Sequence, residues 1–210
     1  MLRLLTLSAA VVAQQSPPCI TDFNPSFETI CSNTIVSDGK FSIRDYAEGL
    51  NVSLITSTLP IPLTNWTFDT ERAVQTMLFY FLGDNSDHQA VQRTTPVILR
   101  PTTDSSGEPT ISAAMALPTS YFPDPARAPQ PEVDAVVEAF PAQRFAAAAF
   151  NTPAPATEGD FKRACAEAAQ WLQGRGLKPA KAGVWAQAWV TYSRLRDSAH
   201  VSECWLSVPA

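Results

Sequence analysis

The chain has 210 residues, 45% of them hydrophobic and 17% charged, with a formal net charge of −5. That is enough apolar material for one substantial core, and the length alone favours one domain. The acidic balance and the lack of any basic run exclude a surface that tracks phosphates, so nucleic acid is not an expected partner.

Met1-Leu2-Arg3 gives a positive start, Leu4 to Val12 an apolar run, and Val11 with Ala13 a small-residue cleavage pattern. Residues 1–13 therefore read as a secretory signal peptide. A membrane span would need about 20 apolar residues, and no second long apolar stretch follows. Residues 14–40 read as an N-terminal extension that carries Cys19 and Cys31, and residues 41–210 as the folded domain. The cysteines number four, adding Cys165 and Cys204, and four allow three connectivities. Asn51-Val52-Ser53 and Asn65-Trp66-Thr67 are glycosylation sequons, whereas proline blocks Asn24-Pro25-Ser26. Together these features point to a secreted protein or one of the endomembrane lumen.

From Phe41 the chain shows two similar halves. Phe41 to Arg44 and Val52 to Thr56 alternate apolar and polar residues, as strands do. Asp69 to Leu82 is predicted helical, with Ala73, Val74, Met77, Leu78, Phe81 and Leu82 on one face and Gly83 as its C-terminal stop. Two strands are predicted next, around Val97 to Leu99 and Ile111 to Leu117. The second half repeats the order: strands at Val133 to Ala139 and Phe145 to Phe150, then a helix capped by Thr157 with Asp160 as capping-box partner. Phe161, Ala164, Cys165, Ala168 and Leu172 form its apolar stripe, and strands at Val184 to Thr191 and Glu203 to Val208 close the chain. A duplicated strand-helix-strand-strand unit predicts an α+β fold, a distorted mixed sheet or barrel flanked by two helices. In it Cys165, on the buried helix face, lies over Cys204 on the last strand. The favoured pairs are thus Cys165–Cys204 and Cys19–Cys31, the alternative being free buried thiols.

Six phrases in this order resemble the SOUL, or heme-binding protein, family: Phe41 to Tyr46, Phe79 to Asn85, Val91 to Val97, Met115 to Pro118, Pro129 to Asp134 and Ser202 to Leu206. The resemblance covers about Phe41 to Val208 and implies the same duplicated fold. Departures include Arg93 in place of the family's methionine, Ser202 in place of asparagine and Cys204 in place of valine. The last fits a disulfide added in an oxidising compartment.

The resemblance also implies noncovalent binding of heme or a related tetrapyrrole, on a platform beside the first helix. Such binding needs an apolar surface and one or two cations for the propionates. Met77, Phe79 and Tyr80 are the platform candidates, unless the helix is sandwiched and the rings are core. Arg72 and Arg196, with Arg194 beside it, are the cation candidates. His88 and His200 are the two histidines able to offer an axial imidazole, and neither sits in a motif that demands it. Gly-x-Ser-x-Gly, His-Glu-x-x-His and a phosphate-binding glycine loop are absent, so the reading is non-enzymatic. Glu203, as a buried acid, is the one candidate for a hydrolase. A binding module for another apolar small molecule or a protein partner is the remaining alternative.

Overall fold

The computed structural model describes residues 19–20, 28–30, 32–46, 52–118, 125–140, 142–179, 186–192 and 200–209. Strands β1 (Cys19–Ile20) and β2 (Glu28–Thr29) pair as a separate ribbon. The first half then holds β3 (Asn33–Asp38), β4 (Phe41–Tyr46), β5 (Ser53–Ser57), β6 (Ile61–Pro62), α1 (Trp66–Leu82), β7 (Val97–Thr103) and β8 (Pro109–Ala116). The second holds β9 (Ala135–Ala139), β10 (Gln143–Thr152), α2 (Glu158–Gln173), β11 (Gln187–Thr191) and β12 (His200–Val208). Cys31, and with it the Cys19–Cys31 pair, lies outside the described residues, as do Asn51 and the signal segment.

The main sheet runs β3-β4-β10-β12-β11-β7-β8-β5-β9, with β6 added beside β8. Each of these pairings is antiparallel, where the sequence suggested a mixed sheet. The reason lies in the crossovers. Each helix joins strands of one direction, but an antiparallel strand fills the gap: β8 between β5 and β7, β12 between β10 and β11. The sheet also takes in β3, which lies inside the segment read as an extension.

The strand order is symmetric about the β11–β7 contact. β7 matches β11, β8 matches β12, β5 matches β10 and β9 matches β4. The opening strand of each half is therefore exchanged: β4 pairs with β10 of the second half, and β9 with β5 of the first. On the helices, buried Ala73, Met77 and Phe81 of α1 match Ala164, Ala168 and Leu172 of α2. Both helices start from a capped turn. Asn65 accepts a hydrogen bond from Phe68 N–H, and Thr157 forms the expected capping box with Asp160.

Alternation along the strands divides the core in two. One face, with Ile43, Ile55, Leu99, Met115, Ala146 and Trp189, packs against both helices. The other, with Tyr46, Leu54, Ile98, Ala114, Phe145, Val190 and Trp205, carries no helix among the described residues and is still buried. Curvature accounts for this. The ring of Tyr46, at the end of β4, lies 5.2 Å from that of Phe140, just past β9 at the opposite end of the sheet. The open sheet thus curls until its two ends meet over its own concave face. Each large side chain buried there contributes about 1.5–3 kcal/mol.

Helix α2 is fixed to the sheet covalently as well. Cys165 and Cys204 form a disulfide with a Cα–Cα distance of 5.2 Å, as the helix and strand pattern predicted.

Candidate functional site

Beside α1 a groove of about 200 Å³ opens to solvent. Ser57 and Ile61 form its buried floor, and Leu59, 57% exposed, its outer wall. Arg72, Gln75, Thr76 and Phe79 line it from the helix at spacings of three and four, which puts them on one face. Asp134 closes the rim. The Thr58 N–H donates to Asp134 O at 3.0 Å, so β5 and the connector before β9 hold the rim together.

The same helix face carries a stripe longer than the groove. Phe68, Arg72, Gln75, Phe79 and Leu82 recur every three or four residues, and Phe68, Phe79 and Leu82 are 58%, 41% and 69% exposed. Isolated exposed apolar residues are ordinary, but an aligned set is not. The Arg72 guanidinium lies 5.8 Å from the Phe68 ring centroid, which orders the one cation that lines the groove. The start of the helix beneath the stripe is firmly held. The Asp69 carboxylate accepts hydrogen bonds from the Asn65 N–H at 2.6 Å and the Thr64 N–H at 2.7 Å. These bonds hold its pKa below the usual carboxylate value.

Of the sequence-predicted platform, Phe79 and Arg72 meet in the groove. Met77 and Tyr80 do not: both are fully buried in the helix-side core. The expected apolar face was rotated by part of a turn. Tyr80 goes inward because its hydroxyl finds a partner there, donating to Pro129 O at 2.9 Å, and Leu82 turns outward in its place. Burial pushes the Tyr80 phenol up to about 12, so it stays neutral. Arg194 and Arg196 lie outside the described residues, as does the side chain of His200. His88 is exposed and sits beside Glu132 at 3.6 Å, in the turn after α1 and not among the groove residues.

That turn explains the phrase Gly83-Asp84-Asn85. Gly83 takes φ of 120°, and its N–H bonds the last helical carbonyls. Asn85 is fully buried and donates to Tyr80 O at 3.0 Å and Gln89 O at 2.9 Å. Ser86 N–H donates to Gln130 O, which ties the helix end to the proline-rich connector. These residues build the fold and do not line the groove.

Glu203 is likewise an anchor. It is fully buried on the concave face, and Arg44 donates to both of its oxygens, at 2.8 and 2.6 Å. Tyr192 Oη donates to Oε2 at 2.8 Å, and Trp205 Nε1 to the same oxygen at 2.7 Å. Burial alone would lower the Arg44 pKa, but the Glu203 charge and hydrogen bonds outweigh it and raise the value. Burial, with the Glu203 charge, pushes the Tyr192 phenol far up. A carboxylate so fully engaged and so shielded from solvent holds β4, β11 and β12 together. A smaller network joins β7, β9 and β5, where Arg100 donates to Glu138 at 2.8 Å and to Thr56 at 3.2 Å.

Sequence reasoning missed Ser57, Leu59, Ile61, Gln75, Thr76 and Asp134. The helical members could have been found from the three-and-four spacing that joins them to Arg72 and Phe79. The others come from distant segments and carry no local signal. Among the described residues, no group of three His, Cys, Asp or Glu side chains could hold a metal ion. No helix among them is long and apolar enough to cross a membrane.

None of the curated proteins matches the chain. A family model described as SOUL heme-binding protein matches residues 24–206.

Proposed function

The chain belongs to the SOUL heme-binding protein family, and from that premise we propose that it binds heme or a related tetrapyrrole noncovalently, as cargo, in the groove beside α1. The observation that carries this reading is the asymmetry between the helices. At the position of exposed Phe79, α2 has Gln170, so the fold itself does not require an aromatic ring there.

The residues present suit such a ligand. Phe79 and Leu59 offer apolar contact to a macrocycle, and Arg72 a counter-charge to a propionate. The groove is smaller than the roughly 300–1,000 Å³ of sites that enclose a drug-sized ligand. It therefore suits one face or edge of a macrocycle and leaves the rest in solvent, as befits a carrier or scavenger that must release what it holds.

The signal-like N-terminus and the Cys165–Cys204 disulfide support a secreted or luminal location. A second reading rests on Phe68 and Leu82, which extend the apolar stripe beyond the groove: the same face would take another apolar small molecule or a protein partner.

A hemin titration of the chain from Gln14 onward, followed by its absorption band, tests the proposal. Single-site saturation in the micromolar range is expected, weakened at least tenfold by Phe79→Asp and less by Arg72→Glu. Wild-type binding by Phe79→Asp would place the site elsewhere. His88→Ala is expected to leave the spectrum unchanged.

A further inference from the structure

The geometry points to Asn65 as an N-glycosylation site whose side chain caps α1 and carries the glycan at the same time. The inference rests on the secretory reading above. Asn65-Trp66-Thr67 is a sequon, and both Asn65 and Thr67 are exposed. The amide orientation is fixed by chemistry. The Phe68 N–H is a donor, so the atom facing it at 3.2 Å is Oδ1, and Nδ2 lies on the other branch of the amide. Among the described residues Nδ2 makes no hydrogen bond.

Glycosylation replaces one Nδ2 hydrogen and leaves Oδ1 an acceptor, so the cap survives the modification. The donor is a polyprenyl-diphosphate oligosaccharide. Nδ2 forms a bond to its anomeric carbon, and the bond from that carbon to the diphosphate oxygen breaks. The diphosphate leaves with the electron pair, and the amide proton passes to a base of the transferase. The backbone N–H of Asn65 is already held by Asp69, so the attachment point is rigid.

The glycan would stand at the first turn of α1, close to Phe68. Phe79 lies 14 residues further along the chain, about 20 Å at the helical rise. The groove therefore remains open to a small ligand, while a protein docking along the whole stripe would meet the glycan.

The test uses the full chain, expressed in eukaryotic cells with a secretory pathway, in an Asn51→Gln background. Two variants remove the modification by different routes. Asn65→Asp keeps a good cap and loses the acceptor nitrogen, and Thr67→Ala keeps Asn65 and loses the sequon. The expected result is a mobility shift on N-glycosidase treatment, present in the background chain and lost in both variants. Mass spectrometry should find aspartate at position 65 after the enzyme. A chain recovered from the medium or the lumen with Asn65 bare overturns the glycan alone. A chain retained in the cytosol with its first 13 residues intact overturns the secretory reading and the glycan with it.

Discussion

On α2 the residues that match Phe68, Phe79 and Leu82 of α1 are Gly159, Gln170 and Gln173, all exposed. The flank beside the two helices differs in the same sense. At α2 the residue before β4, Lys40, bridges Glu167 on the helix at 2.5 Å, and Phe41 stacks on Trp171 at 5.3 Å. Arg175 lies 4.1 Å from the same Trp171 ring and pairs with Asp38. At α1 the matching residue before β9 is Asp134, and Thr76 stands at the place of Glu167, so the Lys40–Glu167 pair has no counterpart among the described residues. One duplicated frame thus carries a closed flank and an open one. What separates them is a few surface residues, and the proposed site rests on that difference and not on the fold.

The largest expected difference is between the two buried charge networks. Arg44→Leu would strand the Glu203 carboxylate without a counter-charge and should cost about 3–5 kcal/mol in denaturant unfolding. Glu138→Gln, in the more exposed Arg100 network that joins β7 to β9, should cost about 1 kcal/mol. Equal losses would show that the two networks are equivalent supports and remove that contrast.

The disulfide is the next largest asymmetry. It closes a loop with a sequence separation of 39, so Cys165→Ala with Cys204→Ala should lower stability by about 4 kcal/mol in the chain-entropy view. The first half has Val74 at the place of Cys165. Reduction of a chain carrying Cys19→Ala and Cys31→Ala, followed by thermal unfolding, should reproduce the loss.

Ligand binding comes third. Phe68→Gln, at the far end of the stripe, should change hemin affinity by less than about threefold, under about 0.7 kcal/mol. A loss as large as that of Phe79→Asp would mean that the whole stripe, and not the groove, is the binding surface.

The smallest effect is in acid. The Asp69 pKa is lowered in the folded chain, so its stabilising contribution is complete above the unfolded value of about 3.9. That contribution is lost as the pH falls through the folded value. Asp69→Asn should therefore lose less stability than wild type between pH 5 and 2, measured by denaturant midpoint. Asp160 is held low mainly by Thr157 and should behave in the same direction on α2.

What the sequence disclosed followed the range of the interactions concerned. The Thr157–Asp160 capping box was legible because both partners sit within one turn. The strand and helix order of each half was legible from periodicity, and Cys165 over Cys204 followed from it. The sequence pattern starts α1 three residues late, at Asp69, because Asn65 reads as a sequon and not as a cap. Tyr80 reads as outward-facing because its partner, Pro129 O, is 49 residues away. The groove was half legible for the same reason: α1 supplies one wall in a helical pattern, and β5, its following loop and Asp134 supply the rest through tertiary packing alone.

The most direct test exchanges the groove position at which the two helices differ, Phe79 on α1 and Gln170 on α2. Hemin titrations of Phe79→Gln and Gln170→Phe would be compared with wild type, each protein first checked for the Cys165–Cys204 disulfide. The account predicts single-site saturation by wild type, at least tenfold weaker binding by Phe79→Gln and no change in Gln170→Phe, whose flank remains closed by Lys40 and Glu167. Equal binding by all three, or an affinity gained at α2, would contradict the claim that the open flank of α1 is the ligand site.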